Sequence, residues 1–278
     1  QTGANDLFED IDIFIALNKH REAAHCLVGM ANLQFNSQNY DLAKDNAELA
    51  VTHYGLDKNL THADSGYLMN VYNTLGLTCF QLNDLQAATD HYNHALLLAH
   101  KLGEEFWTAL INGNAASIDA VKGNYSEAIQ KLNTDIQVSM KHKEISSAAS
   151  SYLTIGDIFL KQRNHEYATI YFDSAFQLYN QMHTQKIDPK YYKQMADLDE
   201  ALGNTTRAYF HLKTFLQEKD SLQAKKNSLL LQQLQTKKLF EKQLNDINLL
   251  EAKNKIKEEE LRIREISIVA FILILLLL

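Results

Sequence analysis

An alanine recurs at a nearly fixed interval along most of this chain, and the interval constrains the fold more than any other feature. Successive alanines are separated by 45, 40, 40 and 40 residues. They are Ala43, Ala88, Ala128, Ala168 and Ala208. A period of this size is typical of solenoids, in which each repeat is one supersecondary unit packed on its neighbours. The period therefore predicts a solenoid, which offers an extended binding surface rather than an enzyme-like pocket.

Other positions recur in register with the alanines. Four positions before each alanine stands a short polar residue that tolerates a left-handed turn: Asn39, Asp84, Asn124, Asn164 or Asn204. Twelve positions before it stands a small residue: Ala31, Gly76, Ala116, Gly156 or Ala196. Four positions after it come Ala47, Tyr92, Leu132, Phe172 and Leu212. We therefore predict a unit of two amphipathic helices joined by a tight turn, with small residues where the helices cross.

Two of these units resemble tetratricopeptide repeats. Residues 72–96 (YNTLGLTCFQLNDLQAATDHYNHAL) and 152–176 (YLTIGDIFLKQRNHEYATIYFDSAF) carry that family's aromatic, Leu-Gly, Ala, aromatic, Ala pattern in order. The resemblance covers residues 21–218 and implies an all-α, right-handed solenoid of helical hairpins. The third repeat departs from the pattern at Asn112 and Asp135. An unrelated helical bundle is the alternative, and five repeats in register disfavour it.

The residues on either side of the repeats differ from them. Residues 4–18, within a segment 1–20, are predicted to be a helix remnant of a preceding repeat. Residues 219–265 contain no Gly or Pro and predict a long helix. Apolar residues there follow two shifted heptad-like frames, and neither frame persists over several heptads. A parallel dimeric coiled coil is the preferred interpretation, and a helix that folds back on the last repeat is the alternative.

The C-terminal segment is strongly apolar. Residues 266–278 contain a single polar side chain, that of Ser267. Because crossing a bilayer takes about 20 apolar residues, we interpret this segment as the first part of a truncated transmembrane helix. A short hydrophobic tail of a soluble protein is the alternative. The fold class expected is thus an all-α solenoid, a long coiled-coil-like helix and the start of a transmembrane helix.

The net charge of the chain changes sign at the end of the repeats. Residues 219–265 hold eleven basic and eight acidic side chains, a net charge of +3. The remaining residues hold sixteen basic and twenty-six acidic side chains, a net charge of −10. An acidic array repels phosphates, so direct nucleic acid binding by the repeats is not expected.

No motif of the sequence points to catalysis. Metal-protease, phosphate-loop and nucleophile-elbow patterns are absent from the sequence. His91 and His94 have no acidic partner at a metal-ligand spacing, so a solvated helix face is expected rather than a metal site. Cys26 and Cys79 are expected to be structural free thiols. We therefore predict a non-catalytic segment with no cofactor.

Residues 213–254 add a second resemblance. A last repeat that continues into a KDSL segment, a Gln-, Lys- and Glu-rich helix and a membrane span is similar to bacterial membrane-anchored tetratricopeptide sensors. In that family a histidine kinase of a two-component system or a helix-turn-helix module follows. The resemblance implies a single-pass inner-membrane protein with periplasmic repeats, a homodimer through the long helix, and relay of peptide or protein binding to an output module. A membrane-anchored scaffold and a cytoplasmic regulator of a response regulator are the alternatives.

The resemblance also places a ligand groove. In tetratricopeptide arrays the first helix of each hairpin lines the concave face, which implies a groove lined by Asn32, Asn36, Asn70, Asn73, Gln81, Ser117, Asp157, Lys161, Lys193 and Asp197. Amides and mixed charges there suit the backbone of an extended peptide. The polar residues Asn112, Asn114 and Asp135 of the third repeat are a separate prediction. Polar groups near a core need partners, so they are expected to mark a distortion of the groove or an interface.

Overall fold

The computed structural model describes residues 10–57, 59–181 and 187–277, and the described residues form helices and short connections. Helix α1 covers residues 10–16. The helices that follow are α2 (His20–Asn36), α3 (Tyr40–Leu56), α4 (His62–Gln81), α5 (Leu85–Leu102), α6 (Glu105–Val121), α7 (Tyr125–Lys141), α8 (Ile145–Lys161), α9 (His165–Gln181), α10 (Pro189–Ala201) and α11 (Thr205–Leu277). The chain divides into two compact units, Gln1–Leu229 and Leu230–Leu278.

The first unit is the predicted solenoid of helical hairpins. Helices α2 and α3, α4 and α5, α6 and α7, and α8 and α9 pack as antiparallel pairs, and each pair packs on the next. In the fifth pair, the carboxylate of Asp199 on α10 lies 2.9 Å from Nδ1 of His211 on α11. The expectation of an all-α solenoid is therefore confirmed.

The repeated alanines mark where the two helices of a hairpin approach each other. Ala43, Ala88, Ala128 and Ala168 are completely buried. In the fifth repeat Ala208 is only half-buried, and Leu212 is 41% exposed. The prediction that Leu212 fills the core is therefore wrong, because this part of α11 is not covered as the second helices of the earlier repeats are.

The turns inside the hairpins differ in one detail from the prediction. The residue with positive φ lies one position before the recurring Asn or Asp. These residues are Gln38, Asn83, Gly123, Arg163 and Gly203. The Asn or Asp instead precedes the first residue of the second helix. The side chain of Asp84, for example, accepts a hydrogen bond from the backbone N–H of Ala87 at 3.0 Å. Asn164 Oδ1 accepts a hydrogen bond from the backbone N–H of Tyr167 at 3.3 Å in the same way. Asn39 and Asn124 form no side-chain capping hydrogen bond.

Two glycines on first helices accommodate aromatic rings from second helices. A Cβ atom added at Gly76 of α4 would lie 2.5 Å from ring carbons of Tyr92, and one added at Gly156 of α8 would overlap the ring of Phe172. Both rings are buried. Both positions therefore require a glycine, because the aromatic ring lies directly against the backbone of the first helix.

Two further predictions concern the ends of the first unit. Of the predicted helix 4–18, residues 10–16 are helical, Ile11 packs in the core of the first hairpin, and residues 1–9 lie outside the described part. The side chain of Asp188 caps α10, and Pro189 is the first residue of that helix. The long segment 219–265 lies within the single helix α11.

Helix α11 contacts the first hairpin, not only the last. Leu229 is 7% exposed and packs in the core that contains Leu27 and Met30. Lys226 Nζ donates a hydrogen bond to the backbone carbonyl oxygen of Gln38 at 3.2 Å. The sequence predicted neither contact. The dimeric coiled coil and the boundaries of the four predicted domains stay predictions.

The predicted truncated transmembrane helix is wrong, and so is the single-pass inner-membrane location with periplasmic repeats. Across the described residues, no helix has an apolar stretch long enough to cross a bilayer. The apolar run starts at Ile266, directly after Arg262, Arg264 and Glu265, and is shorter than the roughly 20 residues a span requires. Leu278 lies outside the described residues.

The Gly76–Tyr92 approach predicts a large effect of a small substitution. Gly76→Ala places a methyl group against a buried ring, and we expect the free energy of unfolding to fall by about 1–3 kcal/mol. Gly66→Ala is the matched control, because Gly66 lies on the same helix and an added Cβ meets nothing within 4 Å. The control is expected to be neutral or slightly stabilising. Urea denaturation of both variants measures the difference, and equal stabilities would refute the proposed crowding.

Candidate functional site

Side chains of the first helices α2, α4 and α6 line a cavity of about 560 Å³, which we call the N-terminal cavity. Asn32 and Asn70 of the predicted groove line it. His25, Tyr67 and Trp107 form other parts of its wall. Two of the ten predicted residues thus share one concave site.

A second cavity, of about 630 Å³, lies farther along the solenoid, and we call it the central cavity. Asn73, Gln81 and Ser117 of the predicted groove line it, together with Asn114 and Asp135 of the third repeat. Aromatic side chains from α2, α4 and α6 supply much of the remaining wall: Phe35, Phe80, Phe106 and Trp107. The central cavity therefore combines amides, hydroxyls and one buried carboxylate with apolar surface.

The other five predicted groove residues do not line either cavity. Asp157 and Lys161 form an ion pair of 2.9 Å along α8, and Lys193 pairs with Asp197 along α10. Asn36 is exposed near the end of α2. These residues lie on first helices, as predicted, but the structure does not bring them together with the other five. Their role in ligand binding stays a prediction.

The amides of the predicted groove bind one another across adjacent first helices. Asn32 Oδ1 accepts a hydrogen bond from Thr74 Oγ1 at 2.8 Å, and Asn32 Nδ2 donates to Asn70 Oδ1 at 3.3 Å. Farther along, Asn114 Nδ2 donates to Asn73 Oδ1 at 2.9 Å. These contacts tie α2 to α4 and α4 to α6. They hold the amides in fixed orientations beside the two cavities.

The two asparagines of the third repeat have different roles. Asn114 lies in the central cavity, whereas Asn112 donates to the carbonyl oxygen of Thr108 at 2.9 Å within its own helix. Asn112 lines a separate cavity of about 420 Å³ beside His100 and Val138. The two asparagines thus line different cavities, and their predicted role in a distortion of the groove or an interface stays a prediction.

Asp135 is the most unusual residue of the site. It is 2% exposed, and its carboxylate accepts hydrogen bonds from three serine hydroxyls. Ser151 donates to Oδ2 at 2.5 Å, Ser139 donates to Oδ1 at 2.9 Å, and Ser147 lies 3.2 and 3.3 Å from the two oxygens. Buried charged groups are normally paired with opposite charges. Here the groups that bind the carboxylate in the described part of the chain are neutral.

Gly113 on α6 makes room for Asp135. A Cβ atom added at Gly113 would lie 2.9 Å from both Cβ and Oδ2 of Asp135. The corresponding positions of the neighbouring repeats hold Asn73 and Leu153. At these two positions the third repeat has a glycine and an acid. The neighbouring repeats have a larger side chain, Asn73 or Leu153, and an alanine.

Tyr92 is a further lining residue of the central cavity. Its side chain is 1% exposed, and its buried hydroxyl has no hydrogen-bond partner among the described residues. Burial raises the pKa of this hydroxyl far above its usual value, so it stays neutral.

An acid at the rim of the N-terminal cavity connects the first two hairpins. Asp64 Oδ2 accepts hydrogen bonds from the N–H and hydroxyl of Thr61 at 2.7 and 2.6 Å, forming a capping box at the start of α4. His25 Nε2 lies 3.0 Å from Oδ1, and Arg21 Nε lies 3.4 Å from Oδ2. Burial raises the pKa of Asp64, but the hydrogen bonds from Thr61 and His25 and the Arg21 charge outweigh it and lower that pKa below its usual value.

The remaining titratable clusters are packing features. His91 and His94 both stack on Tyr72, with ring centroids 6.2 and 5.0 Å apart. Burial lowers the pKa of His91. Cys79 is buried and Cys26 half-buried, both as free thiols, as predicted. Within the ranges that the structure describes, no group of three His, Cys, Asp or Glu side chains has the geometry of a metal site.

A solenoid of helical hairpins with a concave, polar and aromatic cavity defines a helical-repeat protein of the tetratricopeptide type. The chain belongs to the family described as soluble NSF attachment protein, SNAP, whose model matches residues 78–232, more than half of the chain. The sequence-based resemblance to tetratricopeptide repeats is thereby confirmed. No curated protein matches the chain.

Solved structures share the fold at low sequence identity. BtubC (BKLC) from P. vanneervenii is 15% identical with a TM-score of 0.57, over 81% of this chain and 91% of that one. The Rap conjugation gene regulator of plasmid pLS20, in complex with the Phr* peptide, is 13% identical with a TM-score of 0.58, over 74% of this chain and 57% of that one. A Rap protein complexed with competence and sporulation factor is 17% identical with a TM-score of 0.57, over 80% and 60%. This chain therefore spans under two thirds of the length of these two Rap chains.

The Asp64 capping box predicts a pH-dependent stability. A lowered pKa in the folded state means that the carboxylate stabilises the fold fully above its usual value near 3.8 and that this contribution is lost as the pH falls below it. At neutral pH, Asp64→Asn should lower the free energy of unfolding by about 1–3 kcal/mol. The difference in the free energy of unfolding between the variant and the unmodified chain should become smaller on acidification.

Asp41→Asn is the control for Asp64→Asn, since Asp41 is an exposed acid in the first turn of α3. Its effect should stay below about 1 kcal/mol. Thermal melting followed by circular dichroism between neutral and acidic pH measures all three proteins. A gap that widens on acidification would contradict the assignment of the Asp64 contacts.

Proposed function

We propose that the first unit is a non-catalytic receptor for an extended peptide segment of a partner protein, bound in the central cavity. The observation that carries the proposal is the composition of that cavity, which Asn73, Asn114 and Ser117 line together with the aromatic side chains of Phe106 and Trp107. Amides and hydroxyls bind a peptide backbone, and aromatic walls take up apolar side chains.

The rigidity of the site also favours binding over catalysis. The Asn73–Asn114 and Asn32–Asn70 hydrogen bonds fix polar groups on adjacent helices before a ligand arrives. A preorganised surface loses less entropy on binding. The two Rap structures that share the fold are complexes with the Phr* peptide and with competence and sporulation factor. Their likeness supports a similar kind of ligand for this chain.

The proposal includes a signalling step, in which α11 responds to occupancy of the groove. Leu229 and Lys226 connect α11 to the first hairpin, and α2 of that hairpin lines the N-terminal cavity. A ligand that binds one arrangement of the hairpins more tightly would therefore strengthen or weaken the contact between α11 and the first hairpin. A kinase or transcription-factor output stays a prediction from the sequence resemblance.

A second copy of the chain is the partner that we propose for the second unit. Its helix exposes four large aliphatic side chains at intervals of seven, seven and three residues, each more than half exposed: Leu249, Ile256, Ile263 and Ile266. Apolar residues at such helical spacings are favourable in a helix–helix interface. This supports the homodimer predicted from the heptad-like spacing.

Selection of random peptides tests the receptor function. We expect peptides enriched from a phage-displayed random library on the full chain to change the emission of Trp107, the single tryptophan of the sequence. Ser117→Tyr fills part of the central cavity and should weaken these peptides at least tenfold. Ser126→Tyr, at an exposed position of α7 outside the cavity, is the matched control and should bind them normally.

Two results would contradict the receptor function. One is the absence of any enriched peptide. The other is equal binding of the enriched peptides by Ser117→Tyr, Ser126→Tyr and the unmodified chain, since the peptides would then bind elsewhere. Circular dichroism of both tyrosine variants shows that each is folded before affinities are compared.

Coupling between the groove and α11 is tested at Leu229. Leu229→Ala removes a buried side chain and should increase hydrogen exchange of residues 222–229, because the contact with the first hairpin is weakened. Coupling is reciprocal, so the same substitution should change the affinity for an enriched peptide several-fold. Leu230→Ala is the control, because Leu230 is 40% exposed. Identical affinities for both variants would exclude the relay.

A further inference from the structure

We propose that Asp135 is a subsite for a basic side chain, Lys or Arg, of the bound peptide. The inference rests on the proposed function, because it identifies the kind of peptide that the central cavity selects. A Lys or Arg side chain would bring its positive charge to the buried carboxylate and replace the missing ionic partner.

The first argument is the position of Asp135 in the repeat. Its equivalents in the other four repeats are Ala50, Ala95, Ala175 and Phe215. All three alanines are completely buried, so an acid is not needed for packing at this position. A carboxylate buried without a cation destabilises a fold unless it is well hydrogen-bonded. Three serine hydroxyls satisfy the hydrogen bonding of the Asp135 carboxylate but leave its charge uncompensated, and a cationic ligand would supply that compensation.

The second argument is that several residues change together to hold the carboxylate. Ser147 and Ser151 belong to the fourth repeat. At the equivalent positions the third repeat has Trp107 and Ile111, and the fifth repeat has Ile187 and Tyr191. Gly113 removes the side chain that would collide with Asp135. Hydroxyl groups of the fourth repeat thus contact the carboxylate from positions where the third and fifth repeats have large side chains. Residues of the third and fourth repeats together accommodate the acid.

The charge of the central cavity fits a basic ligand. Glu144 and Asp188 also line it, and Lys190 is the basic residue that lines it. Three acids against one base leave the cavity negative. Trp107 and Phe106 provide aromatic faces for the aliphatic stem or the charge of Lys or Arg.

The test uses peptides selected on the unmodified full chain from the phage-displayed random library. We expect the enriched peptides to share a Lys or Arg at one position. In the synthetic peptide, a shared arginine is replaced by citrulline, which keeps its shape and removes its charge, and a shared lysine is replaced by norleucine, which keeps the aliphatic stem and removes the charged amine. The neutral peptide should bind the unmodified chain at least tenfold more weakly.

Asp135→Asn supplies the protein side of the same test. It should weaken the parent peptide at least tenfold, and the neutral peptide should suffer no further loss in this variant, because the two changes remove one interaction. Asp90→Asn removes the same charge at an exposed position of α5 and should bind the parent peptide normally. If Asp135→Asn does not fold, the comparison of the two peptides on the unmodified chain decides alone.

The outcomes separate this inference from the proposed function. Peptides that bind in the cavity, as judged by their sensitivity to Ser117→Tyr, but carry no shared basic residue would overturn the subsite and leave the receptor function intact. Equal binding of the parent and neutral peptides would do the same. Failure to select any peptide sensitive to Ser117→Tyr would overturn the receptor function and the subsite together.

Discussion

The close crossing of the two helices in each hairpin is the contact on which the rest of the structure depends. At Gly76 and Gly156 the helix backbone lies directly against the rings of Tyr92 and Phe172, and the repeated alanines allow the same approach elsewhere. Because the crossing recurs at a constant interval, each hairpin takes a similar position on the previous one. The first helices then line up on one side, which is why side chains separated by about forty residues meet in one cavity.

The sequence was sufficient to predict the repeats because their signal is local and periodic. The alanine spacing, the small residues and the short polar residues predict hairpins without knowledge of any tertiary contact. The left-handed turn residue and the exposure of Leu212 escaped prediction, since they depend on backbone geometry and on what covers α11. The transmembrane interpretation failed because no helix of the described residues has an apolar stretch long enough to cross a bilayer.

The site was predicted only in part. Asn32, Asn70, Asn73, Gln81 and Ser117 line the two cavities, which followed from placing first helices on the concave face. The partners of Asp135 were missed, because Ser139, Ser147 and Ser151 come from different helices and form no linear motif. The irregularity of the third repeat nevertheless singled out Asp135, whose carboxylate is buried. A departure from the repeat pattern thus identifies an unusual residue from the sequence, whereas the residues that contact it are known only from the folded structure.

The contact of α11 with the first hairpin has a consequence for folding. Contacts in a solenoid are otherwise local, so its terminal repeats can unfold independently of the centre. The bond from Lys226 to Gln38 joins residues 188 positions apart, and Leu229 packs beside it. Such a long-range closure forms late, since the loop entropy must be overcome first. Once formed, it ties the first hairpin to the last helix, so that the ends of the array lose their independence and unfold as one cooperative unit.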